Sequence, residues 1–103
     1  MVKIITDTSF SKETEEGLVL IDFFGTWCPP CKALLPVLEQ IEEELAEKVK
    51  IVKIDVDESP ETARSFGVLS VPTMILKKNN EVVKRVTGFH NKSTLTELIC
   101  DYI

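Results

Sequence analysis

The stretch from Leu18 to Phe24, bounded by Gly17 and Gly25, is apolar at every position except Asp22. So short and so apolar a run, closed by glycines, reads as a β-strand covered on both faces, as strands inside parallel sheets are. Such a strand has no stability of its own. It demands neighbouring strands and a layer of helix on each side, and the remainder of the chain must supply both.

It does so in alternation. Residues 2–5 read as a short strand and 9–16 as a polar helix ending at Gly17. From Cys28 to about Lys48, Leu34, Leu38, Ile41 and Leu45 recur at helical spacing. The opposite face of that helix carries Glu39, Glu42, Glu43, Glu44 and Glu47, the make-up of a solvated surface. Residues 50–56 form a second strand around Ile51, Val52, Ile54 and Val56. Ser59-Pro60 marks a helix start, with Ser59 as N-cap and proline at the first helical position, and that helix stops near Gly67. Strands at 73–78 and 82–87 flank Asn79-Asn80, a two-residue hairpin turn, since asparagine tolerates positive φ. A last helix spans Asn91 to Tyr102, with Leu95, Leu98, Ile99 and Tyr102 on one stripe. The order β-α-β-α-β-α-β-β-α predicts an α/β layered domain, parallel at first and closed by an antiparallel hairpin.

At 103 residues the chain is expected to be a single domain, residues 1–103, large enough to bury a core without disulfide staples or a structural metal. Its cysteines are therefore free for chemistry. A net charge of −5, from 17 acidic and 12 basic residues, disfavours nucleic acid as a partner, because displacing counterions from phosphates takes a basic face. No apolar run reaches membrane-spanning length and the N-terminal residues do not form a signal peptide, so neither a membrane nor an export route is expected and the location expected is the cytoplasm.

Chemistry concentrates at Trp27-Cys28-Pro29-Pro30-Cys31-Lys32. Two cysteines at this spacing have three explanations. A zinc half-site normally needs a second pair of ligands, and only Cys100 and His90 are left to provide one. Burial as a pair of small hydrophobes sits badly with flanking tryptophan, prolines and lysine. The third is a dithiol that cycles through a disulfide, and placement supports it. Cys28 follows a buried strand and opens a long helix, where the partial positive charge of the helix N-terminus favours thiolate over thiol. Cys31, one turn on, is near enough to attack a mixed disulfide formed at Cys28. Cys28 is thus the expected nucleophile and Cys31 the resolving thiol.

The chain also resembles the thioredoxin family over nearly its whole length. The resemblance rests on Val19–Phe24 leading into Trp27–Lys32, on Pro36, on Lys53-Ile54-Asp55-Val56-Asp57, on Gly67–Thr73 and on Gly88, all in order and spacing. It implies a five-stranded mixed sheet in the order 1-3-2-4-5 flanked by four helices, and a protein-disulfide reductase. It implies a cis peptide bond before Pro72, and a shallow groove lined by Trp27, Pro30, Val71, Pro72 and Gly88 that takes an extended substrate strand along Val71. It implies no bound cofactor, with electrons arriving from NADPH through thioredoxin reductase and leaving to disulfide-containing client proteins. The spacing of Cys100 and His90 gives no reason to expect a metal, and nothing in the chain points to an obligate dimer, so a monomer is expected. Asp22, set among apolar neighbours, is expected to be desolvated with a raised pKa. The resemblance makes it a proton acceptor for Cys31, tuned by Lys53; the alternative is a purely structural carboxylate paired with Lys53.

The chain departs from the family pattern between the cysteines, where Pro29-Pro30 replaces Gly-Pro, removing amide donors from the first helical turn and fixing two φ angles. Phe24 stands where many members carry a second tryptophan, and Asn80 replaces the usual hairpin glycine. Pro36 removes the hydrogen bond to the Lys32 carbonyl, which predicts a kink. Cys100, beside Leu98 and Ile99, is expected to be a partly buried structural thiol, and His90 to sit in a loop without a role.

Overall fold

A computed structural model describes the whole chain, Met1–Ile103. The elements are β1 (Lys3–Ile5), α1 (Phe10–Thr14), β2 (Leu18–Phe24), α2 (Pro29–Glu44), β3 (Lys50–Asp55), α3 (Pro60–Ser65), β4 (Thr73–Lys78), β5 (Glu81–Thr87) and α4 (Lys92–Cys100). Every expected element is present, and the helices are shorter than the periodicity alone suggests. The five strands form one sheet in the order β1-β3-β2-β4-β5. β1, β3 and β2 run parallel, whereas β4 is antiparallel to β2 and to β5. Asn79 and Asn80 make the β4–β5 turn with φ of 48° and 72°, the left-handed geometry that a two-residue hairpin requires.

The two-residue period of β2 divides the core. Leu20 faces the layer of α2 and α4, packed with Leu34, Leu38, Ile41, Leu95 and Ile99. Val19, Ile21 and Phe23 face the other layer, with Phe10 and Ala63. Both faces of β2 are covered, as its composition demanded. Leu34, Leu38 and Ile41 are fully buried, and each such side chain contributes about 1.5–3 kcal/mol of burial. The same period puts Asp22 on the α2 face, in line with Leu20. The glutamates on the far side of α2 are exposed apart from Glu42, which is partly covered and pairs with the Met1 amino group at 2.8 Å.

α3 starts where Ser59-Pro60 indicated, but its N-terminus is capped from outside. The Ser59 hydroxyl makes no cap; it accepts the Asp7 N–H at 3.2 Å. Asp7 in turn accepts the N–H groups of Glu61 (3.1 Å) and Thr62 (2.8 Å). The loop after β1 and the loop after β3 are thereby clasped reciprocally. α4 is capped as a local motif, with the Asn91 side chain accepting the Thr94 N–H at 2.9 Å. Cys100 corrects the expectation of a partly buried thiol: it is exposed. The buried stripe of α4 runs through Leu95 and Ile99, and the next residue lies about 100° further round the helix. No helix is long and apolar enough to cross a membrane.

Candidate functional site

β2, the central strand, ends at the C-terminal end of the sheet's parallel strands, and the chain turns there into α2. The Cys28 N–H donates to the Gly25 carbonyl at 3.2 Å, closing the turn. Cys28 is the N-cap of α2, in extended conformation, and Pro29 opens the helix. Neither proline has an amide hydrogen, so the first N–H of the helix that can reach the sulfur belongs to Cys31; it donates to Cys28 Sγ at 3.2 Å. Cys28 and Cys31 form a disulfide, with their Cα atoms 5.3 Å apart. The helix-start geometry foreseen for this pair is present, and with it the partial positive charge that stabilises a thiolate at Cys28 in the reduced state. No group of three or more His, Cys, Asp or Glu side chains is arranged to hold a metal ion.

Across from the disulfide runs the segment before β4. The Val71–Pro72 peptide bond is cis, and the Val71 carbonyl oxygen lies 3.7 Å from Cys28 Sγ. The Val71 N–H makes no hydrogen bond within the chain. Thr73 Oγ1 donates to the Ser70 carbonyl at 2.7 Å and holds the segment in its bend. The Pro72 carbonyl accepts the Gly88 N–H at 2.8 Å, which brings the end of β5 to the site. Gly88 has φ of 85°, a conformation that a side chain would resist. Of the residues expected to line a groove, Trp27 and Val71 wall a common recess and Gly88 bonds to Pro72, with Trp27 64% exposed and Pro72 buried; Pro30 lies in the first turn of α2. His90 lies in the loop before α4, its Nδ1 3.0 Å from the Gly88 carbonyl oxygen.

Beneath the pair, on the α2 side of the sheet, is a cavity of about 210 Å³ lined by Asp22, Phe24, Cys31, Lys32, Leu35 and Lys53, among others. Asp22 is 2% exposed and its Oδ1 has no hydrogen-bond partner. Burial pushes its carboxyl pKa up to about 7, against the opposing pull of the Lys53 charge. The expected desolvation is therefore present, but the ion pair offered as the structural alternative is not. Lys53 is the register neighbour of Asp22 on β3, yet its ammonium group sits over the Phe24 ring, 5.6 Å from the centroid. A carboxyl with pKa near neutrality, opening on the same cavity as Cys31, has the properties of a proton acceptor for that thiol.

Two site residues were not singled out from sequence. Asp57 Oδ2 accepts the Trp27 indole N–H at 2.7 Å, and Asp55 Oδ1 accepts the Asp57 N–H at 2.8 Å. Both lie in a segment that carried the family resemblance, but nothing in Asp55-Val56-Asp57 indicates that one carboxylate serves the backbone and the other the indole.

The thioredoxin family model matches residues 1–101. Thioredoxin of Listeria monocytogenes serovar 1/2a is 56% identical over 103 residues, covering the whole of both chains. Thioredoxin of Bacillus subtilis strain 168 is 54% identical over 94 residues, 91% of this chain and 90% of the relative. Thioredoxin of Staphylococcus aureus strain Mu50 is 43% identical over 95 residues, 92% of this chain and 91% of the relative.

Proposed function

We propose, from the premise that the chain belongs to the thioredoxin family and is a protein-disulfide oxidoreductase, that its 103 residues act as one domain, a monomeric cytoplasmic electron carrier. It is reduced by thioredoxin reductase at the expense of NADPH and reduces disulfides in client proteins. The observation that carries this reading is the Cys28–Cys31 disulfide capping α2, with the Cys28 sulfur beside the Val71 carbonyl.

In the reduced protein Cys28 is the nucleophile. Its thiolate, favoured by the helix N-terminus and the Cys31 N–H, attacks one sulfur of the client disulfide; that bond breaks, a mixed disulfide forms, and the other client sulfur leaves as a thiolate. The unpaired Val71 N–H and its carbonyl offer backbone partners to an extended client segment, and Trp27, Pro30, Pro72 and Gly88 give it an apolar bed. Asp22, its carboxyl poised near neutrality by burial, accepts the Cys31 proton across the cavity. The Cys31 thiolate attacks Cys28 Sγ, the mixed disulfide breaks, and the second client sulfur leaves and takes up a proton. Two electrons have passed to the client and the Cys28–Cys31 disulfide remains. Lys53 tunes Asp22 through its charge. No metal and no bound cofactor enters any step.

Reduction of insulin coupled to NADPH and a thioredoxin reductase tests the reading. The wild type turns over, and Cys31→Ser stalls as a mixed disulfide on Cys28. A wild type that fails to reduce insulin, or a Cys31→Ser variant that turns over normally, overturns it.

A further inference from the structure

The two sulfurs of the disulfide face different surroundings. Cys28 Sγ lies 3.7 Å from the Val71 carbonyl oxygen, on the side proposed for client segments. Cys31 forms part of the wall of the cavity beneath the pair, and Cys28 takes no part in that wall. The two residues are about equally buried, at 3% and 5% exposed. The cavity is therefore a route to the second sulfur that does not pass over the first.

Its make-up suits a small reactant. About 210 Å³ holds a molecule of several heavy atoms, since about 10–15 Å³ already holds a water. Phe24, Gly25 and Leu35 give the wall its apolar part, and the exposed residues Thr26 and Lys32 mark its opening to solvent. Asp22 is the one acid in the wall, and its Oδ1 has no hydrogen-bond partner. Lys32 and Lys53 are the two cations, and positive charge nearby favours a thiolate over a thiol.

The leaving group also favours this route. In thiol–disulfide exchange the sulfur with the more stable thiolate leaves faster. Cys28 caps α2 and accepts the Cys31 N–H at 3.2 Å, so attack on Cys31 expels the better leaving group.

We propose that the cavity is a second entrance to the disulfide, one that admits a low-molecular-weight thiol to attack Cys31 with Asp22 as proton acceptor. The inference rests on the oxidoreductase reading and adds a further activity to it, electron uptake from small thiols without a reductase. The thiol passes its proton to the Asp22 carboxylate, and its sulfur bonds to Cys31 Sγ as the Cys28–Cys31 bond breaks and Cys28 leaves as a thiolate. A second thiol then attacks the sulfur of the first, its own proton going to the Cys28 thiolate. The Cys31 thiolate released takes back the proton held by Asp22. Two thiols have become one small disulfide, and the cysteine pair has gained two electrons and two protons.

The experiment treats the oxidised protein with excess 2-mercaptoethanol, with no reductase present. Rapid acid quenching, peptic digestion and mass spectrometry locate the adduct, which is on Cys31 with Cys28 free. Phe24→Trp, which fills the cavity from β2, slows reduction by 2-mercaptoethanol about tenfold relative to reduction by thioredoxin reductase and NADPH. Leu35→Phe, which fills it from α2, does the same. Asp22→Asn leaves the cavity open and slows the small-thiol reaction by removing the proton acceptor. An adduct on Cys28, a wild type reduced by the reductase but inert to 2-mercaptoethanol, or a reaction that neither filling variant slows overturns the proposal. A wild type that neither the small thiol nor the reductase reduces defeats the oxidoreductase reading instead.

Discussion

Asp22 and Lys53 are register partners on adjacent parallel strands and point to the same face of the sheet, yet they do not pair. The lysine turns to the Phe24 ring and leaves a carboxyl oxygen buried and unbonded beneath the active disulfide. An unpaired carboxyl in this setting resists ionisation, and that has a measurable consequence for stability.

The Asp22 pKa is raised from 3.8 to about 7 in the folded protein. Between these values the folded state binds the proton and the unfolded state does not, so stability falls as pH rises through this window and levels off above about pH 7. A shift of this size corresponds to roughly 4 kcal/mol. Asp22→Asn, which cannot ionise, gains on the wild type by up to about this amount between pH 4 and pH 8. Denaturant unfolding at a series of pH values measures the difference, and a gap that does not widen with pH refutes the assignment.

Lys53 lowers the Asp22 pKa through its charge alone. Lys53→Met should therefore push the carboxyl titration further up, with the same shift in the pH profile of mixed-disulfide resolution. Carbon-detected NMR of the carboxyl reads the first effect and rapid-quench kinetics the second. A titration that stays in place means that the lysine charge does not reach the carboxyl.

With prolines at its first two positions, α2 directs a single amide, that of Cys31, at the Cys28 sulfur. Pro30→Ala restores a second donor in the first turn. The Cys28 thiolate is then better stabilised in the reduced state, its pKa falls, and the reduction potential becomes less negative by on the order of 10–30 mV, 30 mV being about 1.4 kcal/mol for two electrons. Thiolate absorbance and a glutathione equilibrium measure the pair of effects; an unchanged thiolate titration refutes the first.

Ser59→Ala removes the acceptor of the Asp7 N–H and loosens the clasp between the loops after β1 and β3. The expected loss is about 1 kcal/mol, the ordinary worth of such a hydrogen bond. Asp7→Ala should also lower the melting temperature, because the first turn of α3 then has no side-chain cap. Thermal unfolding of the two single variants and the double variant checks the coupling: effects that simply add would mean the two residues act separately.

Cys100 is the one thiol outside the disulfide, and it is exposed. A maleimide should label one site per chain in the native oxidised protein and all three cysteines after reduction in denaturant, since Cys28 and Cys31 are buried in the fold. Protection of Cys100 in the native oxidised protein would restore the expectation that it is buried.

What sequence conveyed well was whatever is local. The sandwiched character of β2, the cysteines at the start of α2, the asparagine turn and the lone carboxyl of Asp22 are each legible within a few residues. What it concealed are contacts between distant segments. The Trp27–Asp57 bond joins positions 30 apart, and the Asp7 cap on α3 reaches across 54 and 55 positions; neither leaves a periodic or motif trace. Lys53 was foreseen as a neighbour of Asp22, correctly in register, but a flexible side chain chooses its partner in three dimensions. Adjacency to Ile99 in sequence suggests burial of Cys100, but successive residues on a helix face different ways, and Cys100 is exposed.

The Val71 carbonyl lies 3.7 Å from Cys28 Sγ, and the Pro72 carbonyl ties Gly88 to the same segment. Under the proposed function, a donor and a client that both reach the Cys28 sulfur past this segment occupy one berth in turn. Electron flow is then expected to be ping-pong, with an abundant partner slowing traffic to all the others.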